Sequence, residues 1–121
     1  MNNQSRMSSF KNAVNGILVF FKTQTNAKLH LAASVLVVLL GFYFQVSTTE
    51  WCLLIGAIGI VLIAEIFNSA LELLSDVVSP DYDDSIKKIK DMAAGGVLIA
   101  ACSSALLAAV IFLPKIMSCC F

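Results

Sequence analysis

Apolar positions along the chain gather into three long blocks separated by short polar breaks, with a mixed segment ahead of them. Leu29–Val46 reads LHLAASVLVVLLGFYFQV, 18 residues with no acid or base except His30 at its edge. That is close to the roughly 20 residues a helix needs to cross a bilayer. Trp51–Val78 is long enough to cross and then project into the interface. Ala93–Leu113 supplies 21 more residues, with Pro114 as the expected stop. Hydrocarbon offers no water to backbone N–H and C=O groups, so each block is predicted to be a helix. Ser47–Glu50 is a tight connector, and Ser79–Asp91, with Pro80 and the acids of Asp81–Asp84, is a polar loop leading back through a basic run. The fold class is therefore an all-α membrane protein, one domain over residues 1–121.

The segment ahead of the spans has a different pattern. In Ser8–Lys22 the residues Phe10, Val14, Ile17, Leu18 and Phe21 recur at helical spacing, while Lys11, Asn12, Asn15 and Lys22 take other faces. This predicts an amphipathic helix over about residues 8–24, lying in the membrane surface. Packing against the bundle is compatible with that placement. The first ten residues are mostly polar and no small-residue cleavage site follows the apolar patch, so the segment does not read as a signal peptide.

Composition agrees with a membrane protein. Hydrophobic residues make up 59% of the 121 and charged ones 13%, with a mean hydropathy of +0.87, more apolar surface than so small a soluble domain could bury. A formal net charge of zero leaves no basic patch for nucleic acid. The distribution of charge orients the bundle. Arg6, Lys11, Lys22 and Lys28 precede the first span, Lys87, Lys88 and Lys90 follow the second, and Lys115 stands alone beyond the third. The positive-inside rule then puts the N-terminus and the Ser79–Asp91 loop in the cytoplasm and the C-terminus outside.

The chemistry lies in the second span. Glu65, Asn68, Glu72 and Asp76 are spaced by 3, 4 and 4 residues, which stacks them on one helix face. Carboxylates at membrane depth are costly unless they face a partner, a cation or water, so the stripe reads as functional. A structural polar seam would use one Asn or Ser. Glu65 lies about 10 Å deeper than Glu72 at 1.5 Å per residue. An apolar setting disfavours a carboxylate's charge and makes it more basic, which suits Glu65 to taking a proton from a hydroxyl. Glu72, nearer the edge, could hold Mg²⁺, which takes one or two carboxylates plus substrate phosphates and water. Asn68 lies between and could orient either. Lys90 and Asp91 enter the third span at the same level, where a lysine can neutralise phosphate charge and Asp91 can fix it or meet the nucleotide. Base, metal carboxylate and cation form a phosphoryl-transfer set.

Other residues carry less. Gly96, Ala100, Ser104 and Ala108 fall at steps of four with Ala101, Ala105 and Ala109 beside them, a small-residue ridge that lets helices approach closely. Three helices bury few acids, so an oligomer with sites between subunits is expected. His30, the only histidine, heads the first span, where interface anchoring is its simpler role. Cys52 and Cys102 read as small packing residues, and Cys119 and Cys120 have no zinc spacing.

Ala64–Asp76, AEIFNSALELLSD, followed by KDMAAG at Lys90–Gly95, resembles the signature of the prokaryotic diacylglycerol kinase family, which includes undecaprenol kinases. The likeness extends through SFKNAVNG, TQTNAKLHL, TEW and FLPK, nearly the whole chain. It implies three transmembrane helices with an N-terminal amphipathic helix, assembled as a homotrimer with shared sites. It implies a general base at Glu65, a metal- and ATP-binding glutamate at Glu72, the motif asparagine at Asn68 and a nucleotide-binding pair at Lys90 and Asp91. Asp76, and further out Asp81 and Asp83, match positions near the nucleotide. One departure stands out: the family's second metal-binding glutamate corresponds here to Gln24, a neutral amide that would hold Mg²⁺ more weakly.

The expected activity is ATP- and Mg²⁺-dependent phosphorylation of a lipid primary hydroxyl, in the cytoplasmic membrane of a bacterium. Diacylglycerol and undecaprenol both qualify, with the TxxNxKLHL segment leaning toward the undecaprenol branch. An ion or proton conduit could also stack Glu65 and Glu72, yet it would not need Lys90–Asp91 at the same level. A purely structural membrane protein has no use for three acids in one stripe.

Overall fold

The computed structural model describes residues 3–121, and these form four helices: α1 (Asn3–Thr23), α2 (Thr25–Tyr43), α3 (Thr48–Val78) and α4 (Asp84–Cys120). The last three are long and apolar enough to cross a membrane. At 1.5 Å per residue α3 and α4 are about 46 and 55 Å long, well beyond a hydrocarbon core of about 30 Å, so their ends reach into water. Large apolar residues on α2, α3 and α4, such as Leu39, Ile60 and Ile99, are exposed, as expected where lipid or another subunit is the solvent. On α1, Phe10, Ile17 and Leu18 are uncovered and only Phe20 is buried, which leaves an apolar stripe for a membrane surface.

Helix starts follow from local chemistry. Ser47 caps α3: its side chain accepts from the Glu50 N–H at 3.2 Å, while Glu50 Oε1 accepts from the Ser47 N–H at 3.0 Å. This reciprocal box satisfies two end donors that the helix cannot pair itself. Ser47–Glu50 is thus less a connector than the first turn of α3. Asp83 caps α4 by accepting from Ser85 N–H and Ile86 N–H at 2.8 and 3.0 Å. The loop expected over Ser79–Asp91 therefore closes at Asp83, and Asp84–Asp91 is already helix.

Pro114 corrects the expected stop of the third span. It lies inside α4, which continues to Cys120. Proline removes one N–H and with it the bond to the carbonyl four residues back, but it does not forbid the turns that follow. Those turns are held by Lys115 Nζ, which donates to Glu50 Oε2 at 2.8 Å, and by Ser118 Oγ, which donates to Pro114 O at 2.9 Å.

α4 packs most closely on α3, and the small-residue ridge is part of the reason: Ala100 is buried and Ser104 Oγ donates to the Ala57 carbonyl at 3.2 Å. The end of the bundle near Pro114 holds the hydrophobic core, Val46, Leu54, Ile111 and Phe112, with Trp51 and Phe44 against it. The opposite end carries the polar groups.

Candidate active site

The polar stripe of α3 is built as its spacing implies, buried at Glu65 and Asn68 and exposed at Glu72 and Asp76. Glu65 is 2% exposed and Asn68 is 8% exposed, both within a helix that is apolar on its other faces. Asn68 Nδ2 donates to Glu72 Oε1 at 3.2 Å, the four-residue pair that a helix brings together. Asn68 Oδ1 is buried and has no hydrogen-bond partner among the described residues. A buried amide oxygen without a donor is costly, so it marks a place for a ligand's donor, a cation or water.

Glu65 faces a second helix. His30 Nε2 of α2 is 3.7 Å from Glu65 Oε2. The pairing was not readable from the sequence, where His30 is 35 positions from Glu65 and stands at a span's edge. The one local hint is that His30 shares a membrane-facing segment with no other acidic or basic side chain beyond Lys28.

Lys90 reaches back from α4 to α3, donating to Asp76 Oδ1 at 2.7 Å with both groups partly in water. Asp91 pairs along its own helix with Lys87. The lysine–aspartate pair of the motif is therefore split between two ion pairs, one crossing helices and one not. Asp83 is occupied as the α4 cap, and Asp81 is exposed, its carbonyl accepting from Ser79 Oγ at 3.1 Å. Tyr82 donates to Asp84 Oδ1 at 2.7 Å, which is the main cause of a phenol pKa raised above its usual value.

Gln24 stands at the break between α1 and α2, and its side-chain amide reaches only the neighbouring Thr23 Oγ1, at 3.5 Å. No hydrogen bond joins it to Glu72 or Asn68 among the described residues. Among the described residues no three acidic, histidine or cysteine side chains converge as a protein-only metal cage either. The donors present do fit Mg²⁺ in its usual manner: a hard carboxylate at Glu72 and the unpartnered Asn68 Oδ1 beside it, with remaining positions for phosphate and water.

A cavity of about 190 Å³ lies between α2, α3 and α4, lined by His30, Ser34, Leu54, Val61, Ser104 and Ala108 among others. It is almost wholly apolar, with His30 as its only ionisable residue.

The profile of the prokaryotic diacylglycerol kinase family matches residues 11–112. The undecaprenol kinase of Bacillus subtilis is 34% identical over 108 residues, covering 89% of this chain and 88% of that protein. A diacylglycerol kinase of Synechocystis is 32% identical over 111 residues, 91% of this chain and 63% of its own length. The diacylglycerol kinase of Escherichia coli is 35% identical over 68 residues, 56% of each chain. The matched range contains α2, α3, the Glu65–Asn68–Glu72 face and the Lys90–Asp76 bridge. A buried glutamate on a membrane-length helix and a match over most of the sequence lead to one conclusion: the chain belongs to the prokaryotic diacylglycerol kinase family and is an integral-membrane lipid kinase.

Proposed function

We propose that this lipid kinase transfers the γ-phosphoryl group of ATP to the primary hydroxyl of a long-chain lipid alcohol, undecaprenol before diacylglycerol. Glu65 is the general base, and its near-complete burial carries the reading: a carboxylate so placed needs a chemical reason to be there. The lipid hydroxyl reaches it laterally from the bilayer. The preference for undecaprenol is supported by the Bacillus subtilis undecaprenol kinase, which this chain matches over 88% of that protein's length.

Glu72 and Asn68 Oδ1 would hold Mg²⁺ with the nucleotide, and the ion would supply charge neutralisation at the phosphates. Lys90 turns from Asp76 toward the phosphates, which compete for it as stronger anions. Asp76 and Asp91 keep the lysines of α4 oriented when no nucleotide is bound, and Asp81 and Asp83 lie outermost at the nucleotide entrance. Gln24, at the break between α1 and α2, would be a neutral member of the metal site once its amide turns from Thr23. Because the transition state is loose, the enzyme's work is positioning and charge stabilisation rather than covalent chemistry.

The functional unit is a homotrimer in the cytoplasmic membrane, with the polar end of the bundle inward. Extensive uncovered apolar faces on α2–α4 support an assembly. Seven of the eight basic residues lie on the proposed inner side, which supports the orientation.

The test is purified protein with labelled ATP, each lipid in turn, with and without Mg²⁺. Label entering undecaprenol faster than diacylglycerol, only with Mg²⁺, is the expected result. Transfer to diacylglycerol alone would overturn the substrate choice, and no transfer to either would overturn the reaction.

A further inference from the structure

The reaction leaves a proton on a side chain that is almost wholly buried. The lipid oxygen bonds to the γ-phosphorus, the bond from that phosphorus to the bridging oxygen breaks, and ADP departs with its electron pair. The hydroxyl proton passes to Glu65. A protonated acid that is 2% exposed cannot serve again until it is emptied. Glu65 accepts no hydrogen bond among the described residues, and the one basic group in ion-pair range is His30 Nε2, at 3.7 Å. The His30 side chain is 21% exposed against 3% for that of Glu65, so the imidazole reaches surroundings the carboxylate does not.

We propose that His30 is the proton outlet and positioning residue of Glu65: Nε2 takes the proton from the carboxyl, and Nδ1 releases one to water. The proposal rests on the reading of Glu65 as the base. Each transfer moves one proton, and a flip of the neutral ring returns an unprotonated nitrogen to Glu65. A separation of 3.7 Å exceeds a hydrogen bond, and catalytic contacts of this kind tighten when substrate binds. Ser34 leaves the ring free, since its hydroxyl donates to the His30 carbonyl at 2.7 Å.

No other described charge competes for the pair. Glu72 on α3 is engaged by Asn68, and Lys90 on α4 is held by Asp76. The cavity wall that α4 presents is Ala101, Ser104, Ala105 and Ala108, none of them titratable. Lys11 and Lys22 of α1, and Lys28 of α2, form no ion pair with either residue.

The test compares His30→Gln, His30→Ala and Glu65→Gln in the full-length membrane protein. Expected is a fall in kcat of about 10- to 100-fold for both His30 variants, with KM for nucleotide and lipid within about twofold. Added imidazole should restore His30→Ala in proportion to its unprotonated fraction and leave Glu65→Gln inactive. Wild-type kcat and pH profile in His30→Gln would overturn the outlet while leaving Glu65 as the base. A loss in His30→Ala that imidazole does not restore would assign His30 a structural role and overturn it as well. An active Glu65→Gln would instead overturn the underlying reading. Should the His30 variants fail to fold, ¹⁵N-histidine labelling decides, because His30 is the only histidine in the chain. Its Nε2 resonance should move between wild type and Glu65→Gln, and identical resonances would overturn the proposal.

Discussion

At the scale of single residues, the division of labour along α3 can be tested by removing charge without changing shape. Glu72→Gln should weaken Mg·ATP binding and be partly rescued by more Mg²⁺, because a neutral amide coordinates the ion with less charge. Nucleotide affinity measured across a Mg²⁺ titration checks this, and an unchanged affinity would remove Glu72 from the metal site. Gln24→Glu runs the opposite way and should lower the Mg²⁺ concentration for half-maximal rate. An unchanged or higher requirement would mean that Gln24, whose amide touches only Thr23, does not face the metal. The α3 face was legible in the sequence because helix periodicity alone fixes which of its residues share a side. The His30–Glu65 contact was not, since it depends on how two helices pack. Asp83 shows the reverse case: an acid that looks like part of a cluster is a helix cap, and an Asp just ahead of a helical run is a recognisable cap signal.

At the scale of elements, close packing at the core end sets a measurable limit. A β-carbon on Gly41 would come within 2.5 Å of the Trp51 ring, on a side chain already packed against Phe42 and the core. Gly41→Ala should therefore destabilise the protein by about 1–3 kcal/mol through overpacking. Thermal unfolding in detergent checks it, and an unchanged midpoint would mean that Trp51 has room to turn aside. The start of α3 was legible as an S-x-x-E box, which a reading of Ser47–Glu50 as a bare connector passes over. The end of α4 was not legible. Proline is a sound stop signal by itself, but here the turns beyond Pro114 are fastened to α3 by the Lys115–Glu50 pair, a contact between residues 65 positions apart. Pro114→Ala should then raise thermal stability or leave it unchanged, since it restores a helical donor. A lower midpoint would show that the proline's geometry is needed to bring Lys115 to Glu50.

At the scale of the whole molecule, three spans and a surface helix were legible because bilayer thickness and backbone hydrogen bonding admit few alternatives. The proposed orientation rests on the basic residues: a reporter active only in the cytoplasm should be silent when fused after Phe121, and activity there would invert the topology. Exposed apolar faces on the spanning helices leave room for lipid or for neighbouring subunits, and cross-linking in native membranes should yield a trimer as the largest species. The account as a whole depends on one carboxylate. Wild-type and Glu65→Gln protein should be compared side by side for nucleotide affinity and for transfer of label from ATP to lipid. The predicted result is turnover reduced about 10²–10⁴-fold with nucleotide affinity unchanged. Near-normal turnover, or nucleotide binding lost as fully as in Glu72→Gln, would contradict it and make the α3 stripe a single metal site.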